Sequence, residues 1–174
     1  VVLYQYVSIK RGLDIVKMSK RAGNFITARE VLDEVGKDAF RFYLLRFSPQ
    51  THMDFDLDLL KEHSSKNPVF YVQYAHARMA NILAKDKDDD IDKQQDRADM
   101  GLLIHPSELN LIKHLLYFPD LVREISQSLQ VHHLTDYAIT LADLFHKFYE
   151  SCPVLSSEKN LREARLALVK ASRT

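Results

Sequence analysis

The chain has 174 residues, is 46% hydrophobic, and carries 24 basic against 24 acidic residues, so its formal charge is zero. That length suits one domain, or one domain with part of another, and zero net charge excludes attraction of a polyanion through the overall field, leaving only local patches. The lone cysteine, Cys152, rules out an internal disulfide and fits a reducing, cytosolic setting. No signal peptide is visible, and no apolar run reaches the ~18 residues of a membrane span.

Val1 falls inside a strand-like run with no initiator methionine, which reads as a fragment of a longer protein. "VVLYQYVSI" is β-branched and aromatic and predicts a strand; "KRGLD" predicts a turn, and "IVKM" a short second strand. Three of the four glycines (Gly12, Gly23, Gly36) lie in this opening, which looks like the edge of an α/β domain.

From Thr27 the period becomes helical. Thr27 and Glu30 fit a capping box for a short helix ended by Gly36. Asp38 is expected to cap the next helix, "AFRFYLLRF", which stops before Pro49, and "HMDFDLDLLKEHSS" is expected to form a further helix. Asn67 at a cap and Pro68 at the first helical position then open "VFYVQYAHARMANILAK". On that helix Val72, Ala75, Met79, Ile82 and Leu83 share an apolar face. Tyr71, Tyr74 and Arg78 form an adjoining stripe, while Gln73 and His76 point elsewhere and are expected to brace neighbouring helices.

"KDKDDDIDKQQDRAD" is an acidic, solvated linker over about residues 85 to 100. Three helical segments follow: Ser107 to Gln130 with an interruption at Pro119, Leu134 to Glu150, and about Asn160 to the end. Their apolar positions (Leu134, Leu141, Phe145, Phe148) predict a bundle, so the fold class is mainly α, a helical bundle hung on a short α/β remnant. No internal repeat of 20 to 50 residues is present.

The chemistry-bearing stretch is "IVKMSKRAGNFIT". Residues 1 to 30 hold six cations against two acids, a local excess of +4. A loop that grips a triphosphate needs cations on a flexible backbone, and lysine suits this as a movable point charge. A basic surface turn would look the same on these grounds. The tyrosine stripe has two readings as well: flat faces and a cation for unpaired bases, or rings filling a helix interface with hydroxyls at its rim. His132 and His133 lack the cysteine or carboxylate partners of a metal site. Asp54, Asp56 and Asp58 lack the glycine and distal glutamate of a calcium loop, and Cys152 reads as a small core residue.

"KMSK" resembles the signature loop of class I aminoacyl-tRNA synthetases. "VKMSKRAGNFIT", "VGKDAFRFYLL", "HMDFDLDL", "NPVFYVQYAHAR" and "FHKFYESCPVL" together resemble the arginyl-tRNA synthetases, in order and along nearly the whole chain. The resemblance implies that residues 1–30 end a catalytic Rossmann domain, that 31–66 are connecting helices, and that 67–174 form an all-helical anticodon-binding domain of the DALR type. It implies ATP with Mg²⁺, arginine and arginine tRNA as the parent enzyme's partners, a cytoplasmic setting, and no protein-bound metal.

Carried over by residue, Lys20 would stabilise the triphosphate as the arginine carboxylate attacks the α-phosphate, with Lys17 as a second cation. The backbone at Met18 and Ser19 would lie near the adenosine. Tyr71, Tyr74 and Arg78 would meet the anticodon loop. Every arginine codon has G in the middle, so every arginine anticodon has C there, the natural base for a synthetase to read. Asn24 and Arg29 are candidates to relay anticodon binding to the loop.

Two departures stand out. Arg21 replaces the usual serine after the loop, and the family's His-x-Gly-His segment is absent, so the chain is expected not to aminoacylate alone. The end at "VKASRT" looks premature beside the family, whose members are expected to continue with a short apolar tail. Rival readings are another class I synthetase, such as the cysteine type, and a non-catalytic RNA-binding module.

Overall fold

The computed structural model describes residues 3–16, 18, 25–86 and 98–173. Strands β1 (Val7–Arg11), β2 (Asp14–Ile15) and β3 (Met53–Asp56) form one sheet in the order β2-β1-β3. β1 and β2 make a hairpin, with Arg11 opposite Asp14. The turn between them needs Gly12, whose φ of +57° is costly for residues with a Cβ. β1 and β3 run parallel, with Val7 opposite Met53 and Ile9 opposite Phe55. Such a pair needs a crossover, and helices α1 (Ala28–Val35) and α2 (Lys37–Leu45) supply it.

The start of α1 follows the expected box: the Glu30 amide donates to Thr27 Oγ1 at 3.2 Å, and the Thr27 amide to Glu30 Oε2 at 2.6 Å. The start of α2 differs from expectation. Gly36, at φ +83°, ends one helix and begins the other with no loop between, so α2 starts at Lys37. Asp38 therefore sits inside the first turn, where it complements the helix dipole without a capping bond.

The segment from His52 to Ser65 is the second correction. It forms β3 and a single 3₁₀ turn, Leu59–Lys61, in place of a helix. Met53, Phe55 and Leu57 alternate with three aspartates, and that period of two buries one face of a strand. Asp56 Oδ1 then accepts from the amides of Asp58 and Leu59, both at 3.1 Å, which turns the chain.

Helices α3 (Pro68–Lys85), α4 (Pro106–Ser128), α5 (His132–Ser151) and α6 (Lys159–Arg173) make the bundle. α4 runs unbroken through Pro119, against the expected interruption. A proline inside a helix removes one hydrogen bond and costs ~3 kcal/mol. Here Pro119 is exposed, so water can take the freed carbonyl, while Leu111 and Leu121 anchor the helix in the interior on either side. The acidic linker falls largely on residues 87–97, outside the described residues.

Two apolar cores result. One joins the sheet to α1 and α2 through Ile9, Val31, Tyr43, Phe55 and Leu57; the other fills the bundle with Met79, Leu111, Phe145, Phe148 and Leu168. α3 belongs to both, with Val69 in the first and Ala75, Met79 and Ile82 in the second. Cys152 is fully buried in the bundle, and burial pushes its thiol up. Inside the bundle Glu108 is 1% exposed and accepts from Arg165 Nε at 2.7 Å and from the His105 amide at 2.8 Å.

Asn67 holds the joint between the cores. At 3% exposure, its side-chain oxygen accepts from Val69 and Phe70, and its amide donates to the carbonyls of Leu60 and Glu62 at 3.0 and 2.9 Å. Asn67→Ala removes a cap and leaves buried carbonyls unpaired, so it should cost ~2–3 kcal/mol in urea unfolding; a loss below ~0.5 kcal/mol would refute this account.

On the surface of the first unit, Arg11 grips the Glu34 carboxylate with two bonds of 2.7 and 2.8 Å, and Lys61 adds a third at 2.8 Å. These bonds lower the Glu34 carboxyl from 4.5 to about 2. Because the folded value is the lower one, the contribution is complete above about 4.5 and lost as pH falls towards about 2. Urea midpoints against pH should show wild type losing its lead over Glu34→Gln across that interval. Parallel curves for the two proteins would contradict it.

Candidate nucleic-acid interface

The 100° advance along α3 brings Tyr71, Tyr74 and Arg78 to one side of the helix, as expected. α5 packs against that side and adds two residues that the sequence reading missed, His146 and Tyr149. Arg78 is the centre of the group. Its Nη2 donates to the Tyr74 hydroxyl at 2.5 Å and its Nη1 to His146 Nδ1 at 3.2 Å. Its Cζ lies 4.7 Å from the ring centre of Tyr74 and 4.8 Å from that of Tyr149. Cation–π contacts of this kind contribute ~0.5–2 kcal/mol each, depending on how dry they are.

Burial separates the members. Tyr74 and Tyr149 are 45% and 41% exposed, whereas His146 is 9% exposed. The His146 ring lies 5.0 Å from Tyr71 and 5.7 Å from Tyr74, centre to centre. Burial first, and the Arg78 charge second, hold the His146 imidazole below its usual value, so it is neutral at pH 7. Burial, with Asp143 beside it, pushes the Tyr71 hydroxyl up. Tyr71 is thus partly interior, and Tyr74, Arg78 and Tyr149 form the accessible part.

Those three line a groove of about 560 Å³ between α3 and the segment after α5. Asn81 and Lys85 extend its α3 wall with polar groups, and Pro153–Ser156 line the opposite side. Flat faces also continue back along α3: Phe70 stacks on Tyr74 at 6.1 Å and 12°, and His63 stacks on Phe70 at 5.4 Å and 25°. Gln73 points the other way, into a cleft against the α1–α2 turn, and His76 lines an apolar groove on the far side of the bundle.

The basic loop cannot be described in the same terms. Lys17, Ser19, Lys20, Arg21 and Asn24 lie outside the described residues. Met18 is half-buried against the core of the first unit, and Arg29 is exposed in the first turn of α1. Among the described residues no group of three His, Cys, Asp or Glu side chains is placed to hold a metal. No helix among them is long and apolar enough to cross a membrane.

The described residues thus form a helical bundle with a cation–aromatic groove, joined to a small mixed sheet. The DALR anticodon binding domain family matches residues 72–174, and class I tRNA synthetases (M) match residues 5–69. The chain belongs to the DALR anticodon-binding domain family, and its residues 5–69 are similar to class I tRNA synthetases. It is similar to the arginine–tRNA ligase of Dehalococcoides mccartyi, 47% identical over 98% of this chain and 30% of that protein. The arginine–tRNA ligase of Moorella thermoacetica is 46% identical over 99% of the chain and 31% of its own length.

Solved structures agree. A Campylobacter jejuni structure assigned as an arginyl-tRNA synthetase superposes with a TM-score of 0.87 at 32% identity, over 99% of this chain and 36% of that one. The Thermus thermophilus arginyl-tRNA synthetase gives 0.68 at 28% identity, over 88% and 26%. The resemblance to arginyl-tRNA synthetases read from the sequence therefore holds across the chain, which spans about 30% of the length of the curated relatives it matches.

Proposed function

We propose that the chain serves an arginine–tRNA ligase, contributing an ATP-gripping loop and the surface that reads the anticodon. The observation that carries the reading is the groove at Tyr74, Arg78 and Tyr149. It offers two exposed rings and a cation within one short stretch of surface, the combination that unpaired bases require. In this reading residues 1–30 belong to the catalytic domain, 31–66 connect, and 67–174 receive the anticodon loop. Tyr71 supports the site from its partly buried position.

In the parent enzyme Lys20 and Lys17 would neutralise the phosphates of ATP during attack by the arginine carboxylate, with the backbone of Met18 and Ser19 against the nucleoside. Attack on the α-phosphate expels pyrophosphate and leaves arginyl-adenylate, whose arginyl group then passes to the 3′ end of the tRNA. The catalytic work is positioning and charge neutralisation. Mg²⁺ would accompany the ATP phosphates, and a cytoplasmic setting follows from those substrates. The neutral overall charge favours a binding mode in which a few aligned contacts discriminate and generic phosphate attraction is weak.

Binding of the chain to arginine tRNA, and to the same tRNA with the middle anticodon C replaced, tests the anticodon role at low and moderate salt. Tyr74→Ala and Arg78→Ala should each weaken binding to the cognate tRNA by ~1–3 kcal/mol and narrow the gap between the two tRNAs. Binding that is indifferent to the middle base, lost by moderate salt and unmoved by both substitutions would overturn it. The loop role has its own test in the parent enzyme. Lys20→Ala should lower the rate of adenylate formation by ~10²–10³-fold with little change in tRNA affinity, and an unchanged rate would remove Lys20 from the chemistry.

A further inference from the structure

Arg78 has one polar partner from another helix among its described contacts, His146 Nδ1 at 3.2 Å. A guanidinium only donates, so Nδ1 of this neutral imidazole must accept, and the ring proton must sit on Nε2. His146 Nε2 is buried and has no hydrogen-bond partner among the described residues. The ring is also 9% exposed and packed among Tyr71, Tyr74 and Phe145. An apolar side chain would fit these surroundings without stranding a buried donor, and buried donors left unpaired are rare because they are costly. Packing alone does not account for a histidine here. Its acceptor nitrogen does, since that atom fixes Arg78 from across the helix interface.

We infer that His146 is a positioning residue for base recognition: it sets the direction of the Arg78 guanidinium over the Tyr74 and Tyr149 rings and so governs which unpaired base the groove accepts. This rests on the anticodon-reading role of the groove. The division of labour is definite. Tyr74 and Tyr149 already meet Arg78, and the ring surface they leave exposed can stack any base, so they give affinity with little choice. Discrimination needs a donor held in one direction, and Arg78 is the groove donor bonded from both α3 and α5. Tyr74 alone cannot hold it, because the Tyr74–Arg78 bond lies within α3 and fixes only one arm of the fork. The bond to α5 fixes the other arm.

The test compares His146→Leu and His146→Asn in the full chain, by thermal unfolding and by binding to arginine tRNA with and without the middle C. Leucine removes both the acceptor and the stranded donor. The variant should melt at or above the wild-type temperature while the ratio of affinities between the two tRNAs falls about tenfold, the scale of one lost hydrogen bond to a charged group. Asparagine returns an acceptor oxygen near the position of Nδ1 and should restore the ratio to within about threefold of wild type.

Unchanged discrimination in His146→Leu would overturn the inference, as would an asparagine variant no better than leucine. Arg78→Ala separates the two claims. If it leaves discrimination intact, the groove does not read the base and the underlying reading falls. If it abolishes discrimination while His146→Leu does not, only the role of His146 falls. Should His146→Leu fail to fold, the ¹⁵N shifts of the wild-type imidazole decide. The Nε2–H tautomer, with an Nδ1 resonance that moves in Arg78→Ala, supports the assignment; the opposite tautomer refutes it.

Discussion

One helix start governs the arrangement of the whole molecule. α3 is the element common to both cores, and Asn67 sets where it begins and at what angle it leaves the first unit. A cap normally satisfies the free amides of its own helix. Asn67 does this and also spends both amide hydrogens on the turn that follows β3, so the strand, the turn and the helix share one buried side chain. The geometry of a single residue is thereby transmitted along α3, since a helix is stiff over this length. Everything presented on α3, from Phe70 through Tyr74 to Lys85, has its position set by that joint. The groove residues on α3 are thus tied to the sheet of the first unit through one continuous helix.

A second buried group shapes the groove from the opposite side. Glu108 and Arg165 form an ion pair away from water, and such pairs return little net stability, because desolvation offsets the attraction. What the pair provides is direction. Arg165 Nη1 also donates to the carbonyl of Pro153 at 2.7 Å and to Ser157 Oγ at 2.8 Å, fixing the segment after α5 against α6. That same segment, Pro153–Ser156, lines the groove opposite Tyr74 and Arg78. The two sides of the groove are accordingly held by different buried polar groups, one at the start of α3 and one inside the bundle.

The legibility of the fold in the sequence follows how local each signal is. The Thr27–Glu30 box, Asn67-Pro68 and the apolar stripe of α3 were readable because their partners lie within one or two turns. β3 was misread although its alternation is plain in Met53, Phe55 and Leu57, because the aspartates between them also suit a helix start. Only the pairing of β3 with β1 decides between the two, and that pairing spans more than forty residues of sequence. Pro119 misled for the opposite reason: a strong local rule was overridden by the packing of Leu111 and Leu121 on either side. At the candidate site Tyr71, Tyr74 and Arg78 share a helix and could be found together. His146 and Tyr149 could not be joined to them, since nothing short of the α3–α5 packing brings them to Arg78. Their spacing of three on a helix was the available signal, masked by the apolar Phe145 and Phe148 beside them.

The free state of Arg78 bears directly on how such a site discriminates. Its guanidinium already has a hydroxyl, an imidazole nitrogen and two ring faces as partners. A base that enters the groove must match part of that set, because contacts given up are subtracted from contacts made. Affinity gained per base is for that reason modest. A base that presents no acceptor in the right direction gains stacking and forfeits the rest, so the penalty for the wrong base exceeds the reward for the right one. That asymmetry suits a chain with no net charge. Phosphate attraction would hold every tRNA alike, whereas under the proposed role a preorganised, already satisfied arginine would make binding depend on what the anticodon base offers in exchange.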